Sequence, residues 1–229
     1  MNVRRYRSLT AAALFFWPAM QLVLWLGATQ TVSFSLLADG FREASDAWRQ
    51  ADAAARFWWT ALGFWQLMLV PLALMVHRTL VRTGTPYLPI ATVAGILAGL
   101  LGMIGAWFGP LFLAPFNDAM QASPGISVRG VEPLLLSLHG YLKVLIGQTG
   151  LFLAGCWLVL SGFAMVRTAR YRPRIGAWWI TSGLCLWVGL LQGLGWEAAG
   201  GVRRFGFYLG LAGIAYAGTF VKRDKTEEI

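Results

Sequence analysis

Residues 88–108 read LPIATVAGILAGLLGMIGAWF, a run without a single charged side chain. A helix of this length rises about 30 Å, the thickness of a bilayer's hydrocarbon core. Water is absent there, so each backbone N–H and C=O must be paired within the segment, and an α-helix does this. Five further stretches have similar character: about Leu9–Ala28, Phe57–Val76, Leu134–Val166, Ala177–Trp196 and Phe205–Val221. The fold expected is all-α, a single polytopic transmembrane bundle of about six spans covering residues 1–229. The fourth stretch is long enough to tilt or to project from the bilayer.

The rest of the chain agrees with that reading. Of its 229 residues 57% are hydrophobic and 13% charged, against roughly 25% charged in soluble domains. Mean hydropathy is +0.59. The net charge of +9 would suggest nucleic acid in a soluble protein. Here the basic residues cluster beside apolar runs, which is how a membrane protein sets its orientation, and no nucleic-acid partner is expected. With the N-terminus inside, twelve of the nineteen Lys and Arg fall in cytoplasmic segments and six in outer ones, Arg203 and Arg204 among the latter. The remaining cation, Lys143, lies within span four. This bias places both termini in the cytoplasm, across a cell inner membrane. The first apolar run has no convincing small-residue cleavage site and reads as a span. Cys156 and Cys185 sit in apolar runs, with no CxxC and no Cys/His cluster, and read as small hydrophobes.

Two outer loops differ in character. Over about residues 39–56 the apolar Phe41, Ala44, Trp48, Ala51 and Ala55 recur at helical spacing. Arg42–Asp46 and Asp52–Arg56 form i,i+4 pairs opposite. This predicts an amphipathic interfacial helix on the outer surface, with a lid or docking face as the alternative. Asn117–Pro133 reads as irregular, and Pro110 and Pro115 should kink or end span three before it. Lipid gives helices no hydrophobic reason to associate, so small residues mark contacts. Gly95, Gly99, Gly102, Ala106 and Gly109 share a face of span three. Gly206, Gly210, Gly213 and Ala217 share one of span six. These faces serve packing within the chain or, alternatively, a membrane-protein partner or homodimer. Trp58, Trp59, Trp178, Trp179 and Trp196, near span ends, suggest an interfacial aromatic belt.

Ionisable residues inside spans are expensive and often functional. Lys143 lies well within span four, with His139 one turn earlier and Gly147, Gly150 and Ala154 continuing the stripe. Gln21, Gln66, Gln148 and Gln192 fall at similar depth, and Asp118 and Glu197 near the outer ends are candidate counter-ions. The expectation is an outward-facing polar pocket around Lys143. The alternatives are that Lys143 snorkels to the headgroups and that the glutamines only join helix to helix.

A bis-histidine haem is disfavoured, since His77 and His139 should lie about a membrane thickness apart. Intramembrane serine and aspartate motifs, a P-loop and a dinucleotide fingerprint are missing. No cofactor, metal site or catalytic residue is assigned. The segment Arg170–Tyr171–Arg172–Pro173–Arg174, the Gly-rich span after it and the closing Gly-Leu-Ala-Gly span ending at Lys222 resemble an uncharacterised family of six-span bacterial membrane proteins. The resemblance covers the last hundred residues or so and implies six spans without assigning a role to any residue. Three functions stay open. The first is a non-enzymatic protein binding membrane lipid or another hydrophobic small molecule through Lys143, His139 and the glutamines. The second is an accessory subunit of a membrane complex. The third is an enzyme on a lipid-like or quinone-like substrate.

Overall fold

The computed structural model describes residues 3–31, 47–48, 50–81, 84–115, 137–138, 140–141, 143–167 and 172–221. Its helices are α1 (Val3–Thr31), α2 (Ala53–Leu67), α3 (Leu69–Leu80), α4 (Leu88–Trp107), α5 (Gly150–Val166), α6 (Pro173–Gly189) and α7 (Ala198–Val221). α4 widens into a π-helical turn at Phe108–Leu113, a second π-turn at Lys143–Thr149 leads into α5, and a 3-10 turn at Leu190–Leu194 ends α6. Among the described residues there is no strand, and five helical stretches are long and apolar enough to cross a membrane: Ser8–Thr31, Ala53–Leu80, Leu88–Leu113, Ile146–Val166 and Pro173–Gln192. The chain is an all-α, multi-pass membrane protein. α7, the sixth expected span, has 24 residues. Arg203, Arg204 and its glycines dilute its apolar content, and it is not one of the five. Phe15, Phe16, Phe57, Phe64 and Ile90 are each more than half exposed. Water would penalise such an exterior, whereas acyl chains solvate it.

Local chemistry sets the helix ends. The Asp52 carboxylate accepts the Ala55 N–H at 2.8 Å, an N-cap that starts α2 four residues before the expected Phe57. Ala53–Arg56, assigned from sequence to an interfacial helix, thus belong to the span; Asp39–Asp46 lie outside the described residues. Pro71 lacks the N–H that would reach the Leu67 carbonyl, and its ring crowds that oxygen. α2 accordingly stops at Leu67 and α3 restarts at Leu69. The distortion expected at Pro110 takes the form of the wider π-turn. Gly195, at φ +94°, closes the 3-10 turn in the left-handed region that a Cβ disfavours.

The chain forms two compact units. The first holds α1 to Met20, α3, α4 to Gly99, and α5 from Leu151 through α7. In it α5 and α6 meet along a glycine seam. A Cβ on Gly162 would lie 2.7 Å from the Gly176 carbonyl oxygen, and one on Gly176 would lie 2.6 Å from that of Gly162. Gly155 and Gly183 repeat the arrangement seven residues away on each helix, with 2.7 Å from a Gly183 Cβ to the Gly155 oxygen. Seven-residue spacing keeps both pairs on one side of antiparallel helices. α7 packs on α6 through Gly206 against Cys185, Gly210 against Ser182 and Gly213 against Trp179. The Ser182 hydroxyl donates to the Gly206 carbonyl at 2.6 Å. Gly218 meets Ala11 and Leu14 of α1.

The second unit holds α1 from Gln21, α2, the end of α4 and both π-turns. Tryptophans fill its glycine hollows: Trp58 on Gly27, Trp107 on Gly63 and Trp48 on Gly109. Trp107 also donates its indole N–H to the Thr60 carbonyl at 3.0 Å. The first unit repeats the device, with Trp157 on Gly95 and Trp187 on Gly155. This corrects the aromatic-belt reading for part of its members. Trp59 and Trp179 are buried core residues, whereas Trp178 and Trp196 are exposed. Trp48, expected on an interfacial surface, is 1% exposed. Gly95 and Gly102 of α4, Gly109 of the π-turn after it, and Gly206, Gly210 and Gly213 of α7 are filled from within the chain.

Candidate functional site

Two buried seams, one on α1 and one on α2 and α3, follow alternating spacings of three and four residues. On α1 the buried positions are Thr10, Leu14, Trp17, Gln21, Leu24 and Ala28. On α2 and α3 they are Ala55, Trp59, Leu62, Leu69, Ala73, Val76 and Leu80, and the place between Leu62 and Leu69 is taken by half-buried Gln66. Each seam therefore carries a glutamine near its middle, and both glutamines belong to the second unit. Gln66 lies against α4, its amide carbon 3.2 Å from where a Gly102 Cβ would stand. Gln21 is 1% exposed, and its side-chain oxygen is buried with no hydrogen-bond partner among the described residues. A buried amide oxygen without a donor is costly, and such an atom calls for a partner.

The Lys143–Thr149 π-turn belongs to the same unit. Lys143 opens this turn. Gly147 within it is buried, and Gln148 next to it is exposed. Ile146 lies against Gly105, and Gly150 faces Leu101. Gly102, and Gln66 with it, therefore stand level with this turn. π-turns displace one backbone carbonyl from the α-helical ladder and are frequent at functional sites.

Of the residues proposed from sequence, the structure gathers Gln21, Gln66, Gln148 and the Lys143 turn in one unit. Gln192 and Glu197 belong to the other. Gln192 is exposed in the Leu190–Leu194 turn, with its amide over Gly200. Glu197 is also exposed, and its carbonyl accepts the Gly200 N–H at 3.0 Å. His139 and Asp118 lie outside the described residues.

Sequence reasoning missed a polar contact in the first unit. Nδ1 of His77 lies 2.7 Å from the Thr92 hydroxyl, and that hydroxyl donates to the Leu88 carbonyl at 2.9 Å. A threonine has one proton to give, so Thr92 accepts from Nδ1–H. Nearby, the Arg167 guanidinium stands 5.8 Å over the Tyr87 ring. The only signal in the sequence was the fifteen-residue separation across a short hairpin, too generic to single out this pair.

No family model, curated protein or solved structure matches the chain, so the resemblance of its last hundred residues to a six-span bacterial family gains no support.

Proposed function

We propose that the protein binds a lipid or other amphipathic small molecule in the second unit, with Lys143 toward an anionic head and Gln21 and Gln66 toward polar atoms deeper in the bundle. The observation that carries this reading is Gln21, a buried amide whose oxygen has no partner among the described residues, on the same unit as the Lys143 turn. His139, four residues before Lys143, would assist at the head. We read it as a binder, with an accessory subunit of a membrane complex or an enzyme on a lipid-like or quinone-like substrate as the alternatives. We place the chain in a bacterial inner membrane with both termini cytoplasmic, on the two-to-one excess of Lys and Arg on that side.

The test is native mass spectrometry of the full chain purified in mild detergent. Wild type should carry an anionic amphipath, and Lys143→Met should lose most of it. Retention of the same molecule in equal amount by the variant would refute the Lys143 contact. A wild-type protein without any bound amphipath, even after mixing with anionic lipid, would refute the binding function.

A further inference from the structure

α7 lies antiparallel along α6, and the pairs Gly206–Cys185, Gly210–Ser182 and Gly213–Trp179 keep a constant register. Two further pairs of the same unit continue it to the end where α7 begins. A Cβ on Gly189 would lie 2.5 Å from the Arg203 Cβ and 2.9 Å from its Cγ, so the arginine stem fills that notch. A Cβ on Gly200 would lie 3.1 Å from the amide carbon of Gln192. Gly200 and Arg203 are three residues apart and share a face of α7. Helical side chains lean toward the N-terminus of their helix, which carries the Arg203 guanidinium toward the level of the Gln192 amide.

The notch holds a cation in place and leaves its charge unanswered. Arg203 is half-buried, exposed Arg204 follows it directly, and the two charges repel. Among the described residues no carboxylate pairs with Arg203. Glu197 lies six and seven residues before the two arginines, beyond the i,i+3 and i,i+4 spacings at which helical neighbours meet. Withdrawing a cation from water without a counter-charge is costly. The charge-derived orientation also puts both arginines on the outer side, where short loops are usually poor in them. An anion answers this arrangement. Beside it Leu191, Leu194 and Trp196 are exposed, Leu194 by 83%. A free anion has no use for them, whereas an acyl chain covers them. We infer that the turn between α6 and α7 is a lipid site independent of Lys143. It takes the phosphate of an anionic phospholipid between Arg203, Arg204 and the Gln192 amide, with an acyl chain on Leu191, Leu194 and Trp196. A guanidinium fork matches two phosphate oxygens, and the glutamine NH2 adds a further donor. Two arginines against Glu197 leave a net positive site, which favours an anionic headgroup over a zwitterionic one.

A photoactivatable phosphatidylglycerol with its diazirine on an acyl chain tests this on the full chain in mild detergent. Peptide mapping separates adducts on residues 190–204 from adducts elsewhere. Wild type should be labelled saturably on 190–204, and the matching phosphatidylethanolamine probe should label that segment several-fold less. Arg203→Gln should lower the apparent affinity there roughly tenfold, the loss expected of one charge-assisted contact. Labelling elsewhere should stay, which also reports that the variant is folded. Arg204→Gln, at an exposed position, replaces it if Arg203→Gln does not fold, and should lower the affinity as well. Lys143→Met should leave the labelling of 190–204 intact; its loss there would deny the site its independence. Unchanged labelling in the arginine variants, or equal labelling by the two lipids, overturns the inference. So does displacement of the probe by inorganic phosphate as readily as by phosphatidylglycerol, which marks a site for a free anion.

Discussion

Single polar residues are where this chain departs most from an ordinary hydrophobic bundle. Gln21 sits in a seam with Thr10, Leu14, Trp17, Leu24 and Ala28, and no donor among the described residues meets its oxygen. Replacing it by leucine removes an unsatisfied group and fills the same volume. The ligand-free protein should therefore gain about 1 kcal/mol, read as a higher midpoint of thermal unfolding in detergent; a lower midpoint would mean that Gln21 already has a partner. His77 offers a second test. Its Nδ1 should carry the proton, visible in nitrogen-15 shifts of labelled histidine, and Thr92→Val should cost about 1 kcal/mol by stranding that N–H. An Nε2–H ring in wild type contradicts the hydrogen-bond assignment. Gln21, Gln66 and Lys143 were legible as site candidates because polarity inside an apolar run stands out. Which of them is buried was not legible, because adjacent turns of one helix face either protein or lipid. Gln148 and Gln192 proved exposed on that account.

At the scale of elements, glycine decides how closely helices approach. Gly162 and Gly176 present each carbonyl to the other's missing side chain, so Gly162→Ala should cost about 1–3 kcal/mol through forced separation of α5 and α6. A Cβ on Gly201 of α7 would meet nothing within 4 Å, and Gly201→Ala should gain up to about 1 kcal/mol from helix propensity. Equal costs at the two positions, in unfolding titrations, would deny the seam its role. Sequence reading located the glycine faces of spans three and six, yet not this seam, because Gly155, Gly162, Gly176 and Gly183 matter only as pairs on two helices. It also assigned Trp59 and Trp179 to the membrane surface. Proximity to a span end attracts tryptophan to headgroups, but an indole fits a glycine hollow equally well, and packing won there. Helix ends moved for local reasons: the Asp52 cap lengthened span two, and Pro71 split it.

For the molecule as a whole, apolar run length and the distribution of Lys and Arg carried nearly all that could be read in advance. Both are properties of solvation and need no tertiary detail, which explains why the all-α membrane architecture was accessible from sequence while the contents of the interior were not. The orientation is testable directly. Single cysteines placed at residues 2 and 228 in a variant without Cys156 and Cys185 should be protected from membrane-impermeant maleimide in intact cells and labelled after lysis. Labelling of either in intact cells would reverse that end of the chain.

The seam between α5 and α6 has a mechanical consequence. Helices in contact through flexible side chains can slide when rotamers interchange, but here glycine carbonyls meet the facing glycines, flanked by the stiff β-branched Val159, Val166 and Ile180 and the Trp187 ring, which leaves few rotamers to exchange. The Gly155–Gly183 and Gly162–Gly176 junctions should thus behave as a rigid strut, whose amides are among the last in the protein to take up deuterium.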